Sequence, residues 1–149
     1  MTATGHAVIG TVIAAKIGNP SVAIPIAIAS HFAADLLPHW DTGYHRRHES
    51  KTRFFLNTAF DVLLSFVLSY FIIKFLFVQT SINYAFLMVF MAQLPDWLTA
   101  PYVFFDIKYP PFTWIYMLQK KFDRKKDLPW GFMNQVAILA AIVILAKIL

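Results

Sequence analysis

Long apolar segments dominate this sequence and limit the folds that it can adopt. Residues 54–78 and 131–149 are two such segments, and each carries few charged side chains. A helix needs about 20 mostly apolar residues to cross the hydrocarbon core of a bilayer. The chain is 58% hydrophobic and 14% charged, with a mean hydropathy of +0.58, which is far more apolar than a soluble domain. The sequence therefore predicts an all-α integral membrane protein in which residues 1–149 form a single domain.

The apolar runs and the proline positions predict a bundle of about five membrane-embedded helices. We expect these helices to cover residues 5–17, 20–37, 54–78, 81–94 and 131–149. The second and fourth end before Pro38 and Pro95, because a residue that precedes proline disfavours the helical conformation. In the long fourth connection, residues 97–130, Pro110 and Pro111 begin an interfacial helix that extends to about Phe122.

The basic residues are unevenly distributed along the chain. Of the 13 Lys and Arg residues, four lie within residues 46–53 and six within residues 108–126. Both segments lie on one side if the third and fourth helices form a hairpin, and the positive-inside rule makes that side cytoplasmic. We therefore expect a prokaryotic inner (plasma) membrane protein whose basic loops face the cytoplasm. These loops then contact anionic lipid headgroups, and the net charge of +5 does not indicate nucleic acid binding.

The segment His-Phe-Ala-Ala-Asp-Leu-Leu-Pro-His-Trp-Asp, residues 31–41, places four ionisable groups at the end of an apolar helix. His31 and Asp35 share one helix face because they are four residues apart. Their spacing suits two ligands of one metal ion, or a ligand and its orienting partner. A buried hydrogen-bonded pair is the alternative. An Asp at the centre of a membrane helix costs about 2.5–3.5 kcal/mol, and the nearby His39 and Asp41 favour a metal ion as the compensating group.

The predicted topology brings polar side chains from all of these helices to one end of the bundle, near the cytoplasmic leaflet. We expect one shared site there. The predicted metal ligands are His6, His31, Asp35, Asp61 and Asp96. The predicted catalytic residues, each a further ligand or a general base, are His39, Asp41 and Asp96. Weaker predictions, as substrate contacts, are Asn57, Gln93 and Gln135.

Histidine and carboxylate ligands suit Zn²⁺ best, with Mn²⁺ or Fe as alternatives, and they do not suit Cu(I). The chain has no cysteine, which excludes a thiolate nucleophile and Cys-ligated zinc. The candidate ligands outnumber the four that a tetrahedral zinc ion needs, so the pattern allows one ion or two ions bridged by a carboxylate. The remaining ionisable loop residues are expected to be solvated charges: His45, His48, Glu49, Asp106 and Asp123.

The same residues resemble a known family. His6, the run His31-x-x-x-Asp35-x-x-Pro38-His39-x-Asp41 and the later Leu94-Pro95-Asp96 are similar to the membrane-bound metal-dependent hydrolases, which include a LexA-regulated inner-membrane protein. The likeness covers about residues 5–100. The His-x-x-x-Asp element also resembles that of zinc-dependent phospholipase C and the single-strand-specific zinc nucleases, in which a later His follows a Pro at longer spacing. The resemblance implies metal-dependent hydrolysis and leaves the number of ions and the substrate open.

Together, these observations predict a membrane-bound metal-dependent hydrolase that acts on a phosphoester or ester of a lipid-like substrate at the cytoplasmic interface. The membrane lipid is then both the solvent and the substrate. Two other classes of protein remain open. A small cation or proton transporter would spread polar residues across the full membrane depth. A non-catalytic membrane scaffold with a structural metal ion would close the coordination shell with protein ligands.

Overall fold

The computed structural model describes residues 1–45 and 48–149, and six helices lie within these ranges. They are α1 (Ala3–Lys16), α2 (Pro20–Asp35), α3 (Lys51–Leu76), α4 (Ile82–Phe105), α5 (Phe112–Phe122) and α6 (Trp130–Ile148). The two ranges contain no named β-strand, and an isolated bridge pairs His39 with Lys125. The predicted all-helical class is therefore confirmed, and the helices form a bundle.

The helices begin where the local sequence favours a start. The side chain of Thr2 accepts a hydrogen bond from the Gly5 amide before α1, and the side chain of Ser50 accepts one from the Arg53 amide before α3. Pro20 opens α2, where its missing N–H costs nothing. The predicted ends of the first, second, third and last membrane helices differ from the observed ends by at most three residues.

The predicted end of the fourth helix at residue 94 is wrong. α4 continues through Pro95 and Pro101, and Asp106 follows it with a left-handed φ of 57°. A proline inside a helix removes one hydrogen bond and crowds the preceding turn. In that turn, the carbonyl of Ala92 accepts a hydrogen bond from the His31 ring, so a neighbouring helix contacts the backbone there. The long connection therefore begins about nine residues later than predicted, at residue 106.

α1 lies at the centre of the bundle, where it contacts α2, α3, α4 and α6. The core around it consists largely of small side chains such as Ala14, Ala27 and Ala85, which allow the helices to approach closely. Gly10 marks the closest approach of α1 to α4. A Cβ atom at this position would lie 2.7 Å from the Met88 carbonyl oxygen and 3.0 Å from the Ala92 Cβ.

The outer faces of α3 and α6 are apolar. In the part of the chain that the structure describes, these two helices are long and apolar enough to cross a membrane. Side chains such as Phe60 and Phe75 on α3, and Ile144 on α6, are more than half exposed. Exposed apolar surface on this scale is typical of a face that contacts lipid or a partner. α1 and α2, with 14 and 16 residues, are shorter than a full crossing requires.

We expect Gly10→Ala to lower the free energy of unfolding by about 1–3 kcal/mol, because the added methyl group must push α1 away from α4. Gly18→Ala is the matched control, since a Cβ atom there meets nothing within 4 Å. Its effect should stay within about 0.5 kcal/mol. Denaturant unfolding in detergent measures both values. Alanine normally stabilises a helix relative to glycine, so a more stable Gly10→Ala variant would contradict the close packing.

We expect the two basic segments to face the same compartment. Because the chain lacks cysteine, single-cysteine variants report unambiguously on accessibility. His48→Cys and Lys121→Cys should react with a membrane-impermeant thiol reagent from the cytoplasmic side only, and Gly18→Cys from the opposite side only. Arg46 and Arg47, which belong to the first basic segment, lie outside the described residues. Labelling of His48→Cys and Lys121→Cys from opposite sides of the membrane would contradict the predicted topology.

Candidate metal centre

Three buried imidazoles and one partly exposed carboxylate, from four parts of the chain, meet at one end of the bundle. His6 comes from α1, His31 from α2, His39 from the loop after α2, and Asp96 from α4. All three imidazoles are at most 1% exposed. Among the described residues, His6, His31 and Asp96 each offer a ligand atom within 4.8 Å of the other two, and this group could hold a metal ion.

Asp35, at the end of α2, lies between the imidazoles and is 5% exposed. Its Oδ1 atom is 3.3 Å from Nε2 of His6 and 3.8 Å from Nε2 of His39. Its Oδ2 atom is 3.4 Å from Nε2 of His31. The α-amino group of Met1 also contacts Oδ1. The structure therefore brings Asp35 together with four of the other residues predicted for the site, His6, His31, His39 and Asp96.

Backbone carbonyls orient two of the imidazoles. Nδ1 of His31 lies 2.9 Å from the Ala92 oxygen, and Nδ1 of His39 lies 2.8 Å from the Leu37 oxygen. A carbonyl oxygen only accepts, so these bonds assign the proton of each neutral ring to Nδ1 and leave a lone pair on Nε2. The second ring nitrogen of a metal-ligating histidine is commonly held in this way.

The Nε2 atoms face carboxylate oxygens, which are also acceptors. Such contacts are favourable only with a cation or an added proton between them. The His6 and His31 rings stack with centroids 3.8 Å apart, and two imidazolium charges at about 4 Å would repel by about 4 kcal/mol in a protein-like dielectric of 20. A shared divalent cation therefore satisfies the cluster better than protonation of both rings.

Several nitrogens of the cluster are buried without a hydrogen bond. Among the described residues, both ring nitrogens of His6 and Nε2 of His39 have no hydrogen-bond partner. Nε2 of His6 lies 3.3 Å from Oδ1 of Asp35 without forming a hydrogen bond to it. Buried polar atoms are rarely left unpaired in proteins. These nitrogens therefore remain available to a ligand.

Gln119 of α5 also belongs to the site. Its Nε2 atom donates to Nε2 of His31 at 2.9 Å and to Oδ1 of Asp96 at 2.8 Å. The amide thus lies between two of the atoms that would bind a metal ion, and the amide proton and the ion compete for them. Gln119 was not among the residues predicted for the site, because its position depends on how α5 packs against α2 and α4.

Asp61, predicted as a metal ligand, lies outside the group of His6, His31 and Asp96. Its Oδ2 atom accepts a hydrogen bond from the Ala3 amide at 2.7 Å. Its Oδ1 atom accepts bonds from the Thr4 amide at 3.2 Å and the Thr4 hydroxyl at 2.6 Å. The first amides of a helix have no partner within the helix and carry partial positive charge. Asp61 therefore caps α1 from the neighbouring α3.

The three residues that were predicted to contact the substrate lie in different parts of the structure. The Gln93 amide donates to the Ala3 carbonyl and the Ser65 hydroxyl, at 3.0 and 2.8 Å. The Gln135 amide donates to the Thr2 hydroxyl at 2.6 Å, so both glutamines hold the start of α1. Asn57 is exposed and lies 3.5 Å from a carboxylate oxygen of Glu49.

The segment 123–126 is bound to the loop that follows α2. The Arg124 amide donates to the Asp35 carbonyl, and the amides of His39 and Lys126 complete a short pairing between the two segments. Asp123 is consequently held with Oδ1 3.4 Å from Nε2 of His39. The prediction that Asp123 is a solvated loop charge is wrong, since 24% of its side chain is exposed and it faces the site.

Asp41, predicted as catalytic, forms an ion pair with Lys125 at 2.5 Å. Burial alone would raise the pKa of the Asp41 carboxyl, but the Lys125 ammonium outweighs this effect and lowers the pKa below its usual range. Burial likewise opposes the charge of Lys125, yet Asp41 and Asp123 raise its pKa well above the ordinary value. The pair stays ionised at neutral pH and fastens the loop after α2 to the segment 123–126.

A cavity of about 990 Å³ adjoins the cluster. Its polar lining includes Asp35 and Asp96 of the cluster. Aromatic and aliphatic side chains of α3 and α4 contribute to the apolar lining, among them Phe54, Val62 and Phe104. A cavity of this size accommodates a small molecule with both charged and apolar parts.

No protein-family model matches the sequence, and the searches of curated proteins and of solved structures give no match.

We expect Asp35→Asn to reduce bound metal at least about tenfold, because it removes the negative charge at the centre of the cluster. Asp61→Asn is the matched control, being the same substitution at another buried aspartate. It should keep the metal and instead lower the free energy of unfolding by about 1–2 kcal/mol through the weakened cap on α1. Elemental mass spectrometry of the purified proteins gives metal per chain. Equal metal content in wild type and Asp35→Asn would show that the metal binds at a site that does not depend on Asp35.

Proposed function

We propose that this protein is a membrane-bound metal-dependent hydrolase that cleaves a phosphoester or ester of a lipid-like substrate. The observation that carries the proposal is the group formed by His6, His31 and Asp96, beside a cavity with an apolar wall. The resemblance of these residues to the membrane-bound metal-dependent hydrolases supports the same conclusion. Zn²⁺ is the proposed ion, with Mn²⁺ or Fe as alternatives that the same ligands accept.

A divalent cation bound by these residues would lower the pKa of a water ligand toward 7 and polarise a phosphoryl or carbonyl oxygen. The protein supplies the orientation of the ligands. His31 and His39 are fixed by backbone carbonyls, and Asp35 lies between the rings. The Asp96 side chain is 46% exposed and lines the cavity, so it can exchange a proton with water there.

The cavity lining supports an anionic, lipid-like substrate. Of the lysines that line it, Lys108 pairs with Asp106 at 3.0 Å and Lys125 pairs with Asp41. Lys120 lies over the Tyr116 ring at 5.6 Å from its centroid, and it forms no ion pair with the residues described. We propose that Lys120 binds the substrate phosphate and that the apolar wall contacts the acyl chain.

The membrane location rests on the outer faces of α3 and α6. Both helices are long enough to cross a bilayer, and their exposed side chains are apolar. The distribution of Lys and Arg supports a cytoplasmic position for the basic loops and for the site beside them. A plasma-membrane protein of a prokaryote fits this arrangement.

Two observations favour hydrolysis over the other classes of protein. The hydroxyls of Ser65 and Ser69, further along α3 from Asp61, donate to backbone carbonyls of their own helix at 2.6 and 2.7 Å. These two hydroxyls therefore do not extend the acidic site into a path along which cations or protons could cross the bundle. The exposure of Asp96 toward the cavity favours an open coordination position, which a structural metal site would lack.

The test uses the purified protein loaded with Zn²⁺ or Mn²⁺ in mixed micelles of phosphatidylglycerol. We expect hydrolysis that a chelator abolishes and added metal restores, with kcat reduced about 10²–10⁴-fold in Asp96→Asn. Lys120→Gln should raise KM for the anionic phospholipid with less effect on kcat, because it removes a binding charge. The matched control is Lys121→Gln, an exposed neighbour that does not line the cavity.

Other results would contradict the proposal in distinct ways. Metal-dependent cation flux in vesicles without hydrolysis would identify a transporter. Bound metal with no turnover of either phosphoesters or carboxylic esters would identify a scaffold. Hydrolysis of a neutral ester that is insensitive to Lys120→Gln would support a hydrolase but contradict the proposal that its substrate carries a phosphate.

A further inference from the structure

His39 has a free coordinating atom that the group of His6, His31 and Asp96 does not use. The ring is fully buried, and Nδ1 is held by the Leu37 carbonyl. Its Nε2 atom has no hydrogen-bond partner among the described residues and lies 3.4 Å from Oδ1 of Asp123. A buried imidazole lone pair that faces a carboxylate needs a cation or a proton between them.

Asp123 presents one oxygen to His39 and the other to a lysine. Its Oδ2 atom is 3.2 Å from Nζ of Lys125. Its Oδ1 atom is buried and has no hydrogen-bond partner in the described chain. The backbone pairing of the segment 123–126 with His39 holds this oxygen in place. The carboxylate is therefore fixed by its own neighbours with one oxygen left for a ligand.

Asp35 lies between these two residues and the first group of ligands. Its Oδ1 atom is 3.8 Å from Nε2 of His39, and its Oδ2 atom is 3.4 Å from Nε2 of His31. A carboxylate placed in this way can bridge two ions about 3.5–4 Å apart with one oxygen on each. The α-amino group of Met1 also contacts Oδ1, and the second ion would replace it there.

We propose that His39, Asp123 and Asp35 form a second divalent-cation site, joined by the Asp35 carboxylate to the site of His6, His31 and Asp96. This inference rests on the proposed function, because two adjacent ions are a device for binding a phosphoryl group. It narrows the substrate class to phosphoesters.

The charge of the cluster agrees with two ions. Asp35, Asp41, Asp96 and Asp123 carry four negative charges, and the Met1 α-amino group and Lys125, which pair with them, carry two positive charges. One divalent cation would leave the cluster with a charge of about 0, which does not attract a phosphate. Two would leave about +2, which attracts it. An anionic phosphoester is thus compatible with the doubly loaded site.

The test loads the full chain with Mn²⁺ alone and measures metal per chain and the electron paramagnetic resonance spectrum. We expect two Mn²⁺ per chain in wild type, with an exchange-coupled spectrum. Asp123→Asn should bind one Mn²⁺ with an uncoupled spectrum. Asp127→Asn is the matched control, since this exposed aspartate is four residues away and its bond to the Leu128 amide remains available to Asn. It should bind two Mn²⁺.

One Mn²⁺ per chain with an uncoupled spectrum in wild type would overturn the second site and leave the proposed function intact. No bound Mn²⁺ and no bound Zn²⁺ in wild type would contradict the proposed function as well. A coupled pair of ions in Asp123→Asn would show that Asp123 is not a ligand of the second ion. The wild-type spectrum decides the number of ions by itself, so the conclusion does not depend on how well the variant folds.

Discussion

The burial of the Asp35 carboxylate is the constraint on which this structure depends most. The group is 5% exposed and has imidazole nitrogens from α1, α2 and the following loop within 4 Å. A carboxylate in such surroundings is stable only if positive charge or hydrogen-bond donors compensate it. α1, α2, α4 and the segment 123–126 all end or pass close to this carboxylate and its neighbours. The fold therefore assembles its ligands at the place where α2 ends.

Three aspartates show three ways of compensating a buried charge. Asp61 accepts hydrogen bonds from the amides at the start of α1, and Asp41 forms an ion pair with the ammonium group of Lys125. Asp35 contacts the α-amino group of Met1 and lies within 4 Å of ring nitrogens from three histidines. All three lie in or beside an apolar segment of the sequence. The sequence predicted that all three belong to the shared site, but it could not distinguish a helix cap or an ion-paired acid from a candidate ligand.

The parts of the fold that the sequence predicted well are those that local chemistry determines. The apolar run and Pro20 were enough to locate α2, and the spacing of four residues was enough to place His31 and Asp35 on one face. The end of α4 was mispredicted because the rule that helices stop before proline does not hold at Pro95 and Pro101, where α4 packs against α1, α2 and α3. Gln119 and Asp123 were missed because their positions depend on how α5 and the segment after it pack against α2, which is tertiary information.

The position of the cavity also bears on how a lipid would reach the site. Phe55, Trp97 and Phe105 line the cavity and are also exposed, at 51%, 39% and 70%. Phe55 belongs to α3, whose outer face is the most apolar candidate for contact with the bilayer. The opening is thus bordered by aromatic side chains on the side where lipid would lie. The lipid-like substrate that we propose would enter past these side chains with its acyl chain against apolar surface, and its headgroup would exchange water for protein contacts near Asp96.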